Sequence, residues 1–295
     1  MAERRILVTG GAGQLGRELK QAAVRFSLPL LAVDVNELDI TQADHVSAFL
    51  RGGAFGAVIN AAAYTAVDKA ESDSAGAFRI NRDGCAVLAG ACRDQKIPLF
   101  HISTDYVFDG SKGSPYLESD LPKPNSVYGQ SKFAGEKAIR ETWDRHFIVR
   151  TSWLFSPHGA NFVKTILRLA REREELRVID DQQGCPTSAR DLAETLLRMV
   201  QGLETMPTPP YGIYHFCGKG IVSWCGFARE IVARAARHEK LAVRRVTAIP
   251  TEEYPLPAAR PAFSALNCTL LWKNFRIAPR PWQESLAQTI EELYV

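Results

Sequence analysis

The chain of 295 residues is 46% hydrophobic and 23% charged, which is typical of a globular protein with one large domain or two modest ones. Its 36 basic and 33 acidic residues leave a net charge of only +3, so the composition does not favour nucleic acid or an anionic membrane as a partner. The six cysteines show no C-x-x-C pair and no metal-ligand pattern, and no apolar run approaches the roughly 20 residues of a membrane span. We therefore expect a cytoplasmic protein with reduced thiols, without a bound metal and without a membrane partner.

The chain begins with a predicted strand, a glycine-rich turn and a helix. Residues 5–9 are mostly apolar, and Gly10, Gly13 and Gly16 follow them in a G-x-x-G-x-x-G pattern. Glycines at these positions allow a tight turn and let the backbone approach a pyrophosphate, while the N-terminus of the next helix faces the negative charge. This stretch predicts a dinucleotide-binding site.

A second apolar strand is predicted over residues 29–33 and is followed by Asp34. An acidic residue at this distance from the glycines is placed to accept hydrogen bonds from the ribose hydroxyls of NAD. The carboxylate repels a 2′-phosphate, but nearby arginines leave NADP open, so we expect NADH or NADPH as the cofactor. A loop aspartate without a role in binding is the alternative interpretation of Asp34.

The next elements continue the alternation of helices and strands. We predict a helix capped by Thr41 that ends near residue 51, a third strand over 56–60, a helix over 74–94 and a fourth strand over 97–102. Small residues after the third strand allow a flat molecule to lie against the backbone. The polar segment 103–108 stands at the carboxyl end of the fourth strand, where open α/β sheets bind their ligands.

Tyr128 and Lys132 are four residues apart in a segment that we predict to be helical, so their side chains lie on one face. An ammonium group beside a phenol favours the phenolate, and we therefore expect the pKa of Tyr128 to be lowered. Such a pair is a candidate proton donor. An ordinary Tyr/Lys pair on a solvated helix is the alternative.

The alternation of strands and helices over the first 150 residues indicates an α/β fold with a Rossmann-type, doubly wound parallel sheet. Beyond residue 153 we predict helices over 160–173, 189–201, 223–237 and 281–293, and strands over 176–179, 212–216 and 243–247. We expect a dinucleotide-binding domain over 1–153 with later returns near 188–217. A smaller, interleaved C-terminal domain over 154–187 and 218–295 would mainly bind the substrate.

The glycine turn, Thr104, Tyr128 and Lys132 occur in the order and approximate spacing of the extended short-chain dehydrogenase/reductase superfamily, which the chain resembles over essentially its whole length. The resemblance implies that Tyr128 is the proton donor or acceptor for the substrate oxygen. It implies that Lys132 lowers the pKa of Tyr128 and holds the nicotinamide ribose, and that Thr104 bonds the same oxygen.

Five segments, 60–71, 103–108, 150–153, 180–187 and 260–261, are similar to those of the dTDP-4-dehydrorhamnose reductase family. That family reduces the 4-keto group of dTDP-6-deoxy-L-lyxo-4-hexulose, the last step of dTDP-L-rhamnose synthesis. The resemblance implies two sets of binding residues. Those that would line the cofactor are Gly10, Gly13, Gln14, Leu15, Gly16, Asp34, Asp39, Ile40, Ala61, Ala62, Ala63, Tyr128 and Lys132. Those that would line the sugar-nucleotide pocket are Val67, Thr104, Asp105, Tyr106, Trp153 and Arg260.

Two of these residues have specific expected contacts. The guanidinium of Arg260 matches the oxygens of a substrate phosphate, although a surface arginine is the alternative. Trp153 offers a stacking face beside the sugar, and core packing is an equally good interpretation.

One position departs from the family pattern. Reductases of this type can form a metal-bridged dimer through three carboxylates, and Glu18 and Glu292 could occupy two of these positions, but the third is Arg190. Mg²⁺ takes oxygen ligands, which arginine lacks. We therefore expect a monomer or a homodimer that is not bridged by metal.

Two other functions compete with reduction. A nucleotide-sugar 4,6-dehydratase or epimerase shares the fold, but dehydratases follow Thr-Asp with a glutamate that acts as a base, and here Tyr106 follows Thr104 and Asp105. The regulatory β subunit of methionine adenosyltransferase is a non-catalytic relative of the same fold. The intact Tyr128/Lys132 pair does not exclude such a regulatory role.

Overall fold

The computed structural model describes residues 5–294, and its centre is a six-stranded parallel sheet. The strands, in chain order, are β1 (Arg5–Thr9), β2 (Leu30–Val33), β3 (Phe55–Asn60), β4 (Leu99–Thr104), β5 (His146–Thr151), β6 (Leu154–Phe155), β7 (Glu175–Ile179), β8 (Gln183–Gly184), β9 (Thr187–Ser188), β10 (Gly212–His215), β11 (Val222–Ser223) and β12 (Arg245–Ile249). The central sheet has the order β10-β5-β4-β3-β1-β2, and each neighbouring pair is parallel. The predicted α/β class and parallel sheet are confirmed.

Helices pack on both faces of this sheet, and others lie outside it. They are α1 (Gln14–Arg25), α2 (Ala43–Gly52), α3 (Val67–Ala70), α4 (Ser74–Phe78), α5 (Gly84–Asp94), α6 (Val127–Thr142), α7 (Phe162–Glu172), α8 (Ala189–Leu203), α9 (Trp224–Ala235), α10 (Thr269–Phe275) and α11 (Trp282–Leu293). Apolar residues three or four apart, such as Leu15 and Leu19 of α1, form the buried stripe of each helix. Because the strands are covered on both sides, consecutive residues such as Leu7 and Val8 are both fully buried.

The two faces have separate hydrophobic clusters. On one face, α1 and α8 pack against the sheet, with Leu19 and Leu196 fully buried. On the other face α2, α5 and α6 do so, with Leu88 and Ile139 fully buried. Because all six strands are parallel, their carboxyl ends lie at one edge of the sheet. The glycine turn, Thr104 and Thr151 all lie at that edge.

A third cluster lies outside the central sheet. It joins α7, α9 and α11 to β7 through buried residues such as Val163, Leu176, Phe227 and Leu286. β7 pairs in parallel with β12, and the remaining short strands pair as β11 with β8 and β6 with β9. β10, which falls in the predicted return near 188–217, joins the central sheet beside β5. The division into domains at residue 153 stays a prediction.

Two local predictions were wrong. Thr41 does not cap α2, because the capping position is Gln42 and the Thr41 hydroxyl donates instead to Asp39 at 2.8 Å. The helix predicted over 74–94 is interrupted by a π-helical turn at Arg79–Asp83. A π-turn adds one residue to a turn and leaves a mostly apolar helical pattern readable, so periodicity does not reveal it. Between residues 5 and 294, no helix is long and apolar enough to cross a membrane.

Candidate active site

A cleft of about 850 Å³ runs along the carboxyl edge of the sheet. It is lined by 18 of the 19 predicted site residues, and the exception is Arg260. The residues that line it are Gly10, Gly13, Gln14, Leu15, Gly16, Asp34, Asp39, Ile40, Ala61, Ala62, Ala63, Val67, Thr104, Asp105, Tyr106, Tyr128, Lys132 and Trp153. The glycine turn and the Tyr128/Lys132 pair, 112 or more residues apart in sequence, thus share one space.

The glycine turn has the close backbone contacts that its sequence predicts. Gly10 has a φ of +72°, and a Cβ there would lie 2.7 Å from the Ala62 nitrogen. A Cβ on Gly16 would lie 2.3 Å from the Gly10 carbonyl oxygen. Both positions therefore need glycine, and the turn leaves the N-terminus of α1 open to the cleft. This geometry fits the diphosphate of a dinucleotide.

Asp34 follows β2 and connects this strand to the glycine turn. Its Oδ2 accepts a hydrogen bond from the Ala12 N–H at 2.7 Å, and its Oδ1 accepts one from the Val35 N–H at 2.8 Å. Each carboxylate oxygen has further lone pairs, so these bonds leave Asp34 able to accept from a ribose hydroxyl. Asp39 is held by Thr41, whose backbone N–H lowers the pKa of the carboxyl group.

Sequence reasoning missed Arg79 and Ile80, which line the same cleft. Both belong to the π-helical turn, and the extra residue of that turn changes which side chains face the cleft. It also missed Gly159 and Ala160 in the loop before α7. That loop is fastened to α1, because Gln14 Oε1 accepts from Asn161 Nδ2 at 2.9 Å. These residues had no local signal, since only the tertiary contact brings them to the site.

Tyr128 lies in the first turn of α6. Ser126 caps this helix by accepting a hydrogen bond from the Gly129 N–H at 3.2 Å. Gly129 lets the helix approach the preceding segment closely, because a Cβ there would lie 2.2 Å from the Tyr106 carbonyl oxygen. The Tyr106 and Tyr128 rings meet edge to face, with centroids 5.6 Å apart. The close contact directs the Tyr128 ring into the cleft.

The expected lowering of the Tyr128 pKa was wrong for the structure as it stands. Burial disfavours the phenolate and raises the pKa of Tyr128 to about 12, while a hydrogen bond with Thr104 acts in the opposite direction. The ammonium of Lys132 is not what opposes the rise, and burial lowers the pKa of Lys132 as well. At neutral pH the phenol therefore keeps its proton.

Lys132 is 2% exposed, and its amino group contacts two residues of β4. Nζ donates to the Ile102 carbonyl oxygen at 2.7 Å and lies 3.3 Å from Nε2 of His101. Because His101 is fully buried, desolvation lowers the pKa of its imidazole well below the usual value, so the ring is neutral. The sequence analysis did not single out His101.

Thr104 and Asp105 close the end of β4. The Thr104 hydroxyl donates to Asp105 Oδ1 at 3.1 Å and accepts from the Tyr106 N–H at 3.2 Å. Asp105 is 2% exposed, and this burial raises the pKa of its carboxyl group to about 6, with bonds to Ser264 and Thr104 opposing the rise. A buried acid of this kind can accept or donate a hydrogen bond near neutral pH.

Trp153 lines the cleft, but one face of its ring is covered. The ring stacks on Trp224 with centroids 3.4 Å apart and an angle of 7° between the planes. Gly184 lies against its five- and six-membered ring junction, where a Cβ would come within 2.6 Å of Cε2. The backbone of Trp153 has a φ of +46°. The tryptophan is therefore held rigidly, and the face turned to Trp224 is closed to a sugar.

Arg260 is not among the residues that line the cleft. Its guanidinium makes a bidentate pair with Asp68, at 3.0 Å from Nη1 to Oδ1 and 2.8 Å from Nη2 to Oδ2. Nη1 also donates to the Ala258 carbonyl oxygen at 2.9 Å. The fork that was expected to bind phosphate is used within the protein. A role for Arg260 in binding a substrate stays a prediction.

The three positions that we expected to match the bridging carboxylates, Glu18, Arg190 and Glu292, lie together in the structure. Arg190 lies between two carboxylates, with Nη2 2.7 Å from Glu292 Oε2 and Nε 3.6 Å from Glu18 Oε2. Glu18 is fully buried, and its desolvation raises the pKa of its carboxyl group. Across residues 5–294, no group of three or more His, Cys, Asp or Glu side chains could hold a metal ion. A guanidinium thus occupies the centre of this cluster.

The sequence model of one family, described as the RmlD substrate binding domain, matches residues 4–295. The chain belongs to this family.

Members of the family with known names agree with this placement. The chain is 43% identical to the dTDP-4-dehydrorhamnose reductase of Aggregatibacter actinomycetemcomitans, over 96% of this chain and 97% of the relative. A crystal structure of a dTDP-4-dehydrorhamnose reductase from Clostridium acetobutylicum superposes with a TM-score of 0.91 at 39% identity and covers 99% of this chain and 100% of its own. The enzyme of the same name from Bacillus anthracis, solved in complex with NADP, has a TM-score of 0.91 at 36% identity and covers 98% and 99%.

Proposed function

We propose that the protein catalyses the NADH- or NADPH-dependent reduction of the 4-keto group of dTDP-6-deoxy-L-lyxo-4-hexulose, which gives dTDP-L-rhamnose. The observation that carries the proposal is the single cleft that has the glycine turn at one end and Thr104, Tyr128 and Lys132 at the other. Family membership supports the substrate class, because relatives at 43% and 36% identity are named dTDP-4-dehydrorhamnose reductase.

The cleft fits a nicotinamide dinucleotide. The α1 N-terminus and the glycine turn suit the diphosphate, since any Cβ at Gly10 or Gly16 would fill the space that the backbone uses. Asp34 is placed for the adenosine ribose, and the small residues Ala61 and Ala62 line the floor of the cleft. When bound, the reduced nicotinamide supplies the hydride for the substrate carbon. The Bacillus anthracis relative with NADP supports use of the phosphorylated cofactor.

The side chains at the other end handle the proton. As the keto oxygen gains negative charge, the Tyr128 hydroxyl donates a proton to it. The Thr104 hydroxyl, which donates to Asp105 in the structure, turns to donate a hydrogen bond to the keto oxygen instead. A pKa of about 12 keeps Tyr128 protonated at neutral pH, so the neutral phenol carries the proton that it donates before the reaction starts. Lys132, four residues along α6, lies on the same helical face and stabilises the phenolate that remains.

Asp105 and Trp153 are proposed to bind the sugar nucleotide beside this centre. Asp105 presents a buried carboxyl group next to Thr104, and Trp153 presents the ring edge that Trp224 leaves uncovered. Arg260, which is paired with Asp68, is proposed to hold the Tyr106 side chain in place at the pocket by a hydrogen bond rather than to bind a phosphate directly.

The test is a coupled assay with purified protein. Oxidation of NADH and NADPH is followed at 340 nm (an absorbance wavelength of the reduced cofactors) on addition of nucleotide 4-keto sugars that differ in base and in configuration. We expect oxidation with the dTDP-linked 4-keto-6-deoxy sugar and formation of dTDP-L-rhamnose. No oxidation with any keto-sugar would contradict the proposal and favour the non-catalytic regulatory role.

The same assay separates the other candidate reactions. A 4,6-dehydratase would convert dTDP-glucose without net oxidation of added NADPH, and an epimerase would interconvert two sugars. Tyr106 at the position of the dehydratase base argues against elimination of water, because a phenol with its pKa raised by burial is a poor base. We also infer a cytoplasmic location, which the free and mostly buried cysteines support.

A further inference from the structure

A row of buried polar side chains crosses the sheet beneath Lys132. Thr9 of β1, Asn60 of β3 and His101 of β4 are direct partners in neighbouring strands. Each of them, and Lys132 above them, is at most 2% exposed. Four polar groups so deeply buried need defined hydrogen bonds, since an unsatisfied one costs about 1–3 kcal/mol.

The orientation of the Asn60 amide follows from the two groups that donate hydrogen bonds to it. Its Oδ1 accepts from the Thr9 hydroxyl at 2.8 Å and from the Ala62 N–H at 3.2 Å. The Ala62 N–H can only donate, so the oxygen must face it and Nδ2 must face the other way. Nδ2 lies 3.1 Å from Nδ1 of His101 and therefore donates to it.

This bond determines where the imidazole carries its hydrogen. A neutral imidazole has one N–H and one acceptor nitrogen, so a ring that accepts at Nδ1 is protonated at Nε2. Nε2 is the atom that lies 3.3 Å from Lys132 Nζ. An N–H there bonds well to a free amine and poorly to an ammonium, because two donors would face each other.

The other groups around the amino nitrogen do not reverse this preference. Cys85 of α5 and Glu136 of α6 act to keep the charge on Lys132, but burial is the larger effect and lowers the pKa of Lys132. The Glu136 carboxylate is already bound to Arg150 at 2.6 Å, and Cys85 is a fully buried thiol whose pKa burial raises to about 11. His101 itself stays neutral, so it adds no charge of its own.

We propose that His101 is a positioning residue, oriented by Asn60, whose imidazole holds the Lys132 amino group at the end of β4 and favours its free-amine form. The consequence for catalysis rests on the proposed reductase function. After Tyr128 has given its O–H proton to the substrate oxygen, the phenolate must be reprotonated. An ammonium that His101 makes easier to deprotonate gives up one N–H proton, and that proton forms the O–H bond of Tyr128 again. Lys132 then takes up one proton from water per turnover.

The first experiment needs neither substrate nor activity, so its failure is distinct from failure of the proposed function. Protein labelled with ¹⁵N-histidine is examined by NMR between about pH 5 and 9, and the His101 signals are assigned by their loss in His101→Gln. We expect a neutral ring protonated at Nε2 throughout. A ring protonated at Nδ1, or one that titrates in this range, would overturn the inference.

The second experiment reverses the tautomer. A carboxylate introduced by Asn60→Asp still accepts from Thr9 and Ala62 and now also accepts from an Nδ1–H, which leaves Nε2 free to accept from the ammonium. We expect the alkaline limb of the kcat–pH profile to move up by about one pH unit. An unmoved limb would contradict the inference.

A double variant separates the histidine from the new charge. If Asn60→Asp acts through the imidazole, it shifts the alkaline limb in the wild-type background but not in the His101→Leu background, so the double variant has the same limb as His101→Leu alone. A shift that persists in the double variant would mean that the carboxylate acts directly on Lys132, which would overturn the role of His101.

The matched control is His215→Leu. His215 is also fully buried and also lies in the central sheet, but its ring faces Arg150 at 3.5 Å rather than Lys132. We expect this variant to lose stability and to keep the wild-type alkaline limb. A shift of the limb in His215→Leu as large as that in His101→Leu would show a general effect of losing a buried histidine, and it would also contradict the inference.

Discussion

The phenol of Tyr128 keeps its proton at neutral pH, because its burial in the cleft disfavours the phenolate. The spacing to Lys132 predicts a lowered pKa, whereas burial raises the pKa to about 12. For a reduction this is favourable, because the acid must keep its proton until the keto oxygen has become basic. A phenol that was already ionised at neutral pH would suit the reverse direction, the oxidation of an alcohol.

We predict that Tyr128→Phe lowers kcat by about 10²- to 10⁴-fold, the usual contribution of general acid catalysis. The ring stays in place against Tyr106, so the dissociation constant of NADPH should remain within about twofold of wild type, measured by calorimetry. Tyr214→Phe is the control, since its hydroxyl bonds Asn274 at 2.8 Å and lies outside the cleft. Turnover within a few-fold of wild type in Tyr128→Phe would refute the assignment.

Asp105 makes a second prediction at the scale of one residue. Its folded pKa of about 6 lies above an unfolded value near 3.9, so the folded state binds the proton more tightly. The stabilising effect of that bound proton is present below about pH 4 and is lost as the pH rises through 6, a loss of about 3 kcal/mol. Asp105→Asn has no such proton.

The free energy of unfolding in urea therefore tests Asp105 directly. We expect Asp105→Asn to gain about 3 kcal/mol relative to wild type between pH 4 and pH 7. Asp181→Asn is a control, because that carboxyl group is held by Thr251 and its pKa is lowered rather than raised. A difference between Asp105→Asn and wild type that does not depend on pH would show that Asp105 is not the buried acid described above.

Among the elements, α6 matters most because it carries Tyr128 and Lys132. One turn beyond Lys132, Glu136 points into the sheet and forms a bidentate pair with Arg150 of β5, at 2.9 Å and 2.6 Å. Both side chains are 1% exposed, and Ser103 of β4 donates to the same carboxylate. The pair fastens the helix to two strands directly behind the cleft.

We predict that Glu136→Gln destabilises the protein by about 3–5 kcal/mol, because it leaves the Arg150 charge buried without its partner. The measurement is urea denaturation at neutral pH. Glu172→Gln is the matched control: it removes the same charge from an Arg168 pair in which both side chains are more than half exposed, and should cost under about 0.5 kcal/mol. Equal losses in the two variants would mean that burial of the first pair has no special weight.

The π-helical turn between α4 and α5 is held by hydrogen bonds to residues outside the turn. Asn81 within it accepts from the Tyr64 N–H at 2.8 Å and donates to the Ser131 hydroxyl at 2.9 Å. These bonds join the segment after β3 to α6. The turn is stabilised by partners that are 17 and 50 residues away, so it is a tertiary feature rather than a local one.

At the scale of the whole molecule, the cleft depends on contacts between distant segments. The loop between β6 and α7 reaches back to α1, where Gln14 Oε1 accepts from Ser156 at 3.1 Å as well as from Asn161. The side wall at Trp153 is supported by Trp224 of α9. The C-terminal elements thus complete a site whose chemical groups come from the central sheet.

The Glu18, Arg190 and Glu292 cluster gives a prediction about assembly. A guanidinium at its centre supplies the positive charge that a divalent ion would supply to three carboxylates, so the assembly should not depend on metal. We expect the mass measured by light scattering to be the same with and without EDTA. A dimer that dissociates in the chelator would contradict this prediction.

Sequence alone determined the alternation of strands and helices over the first 150 residues, the α/β class and most of the residues that line the cleft. The glycines at 10, 13 and 16 and the pair Tyr128/Lys132 are local patterns with local physical reasons, and all five residues line the cleft. Residues beyond these local patterns, such as Trp153, were predicted by resemblance to a family, and that resemblance was right about the family itself.

Only the tertiary structure decided what surrounds each group. Burial raises the pKa of Tyr128 and Asp105, His101 comes to face Lys132, Asp68 takes up the fork of Arg260 and Trp224 covers a face of Trp153. Each of these effects depends on partners or on neighbours that exclude water, and most of those partners are distant in sequence. Desolvation and hydrogen-bond partners are properties of packing, so no local pattern of residue types encodes them.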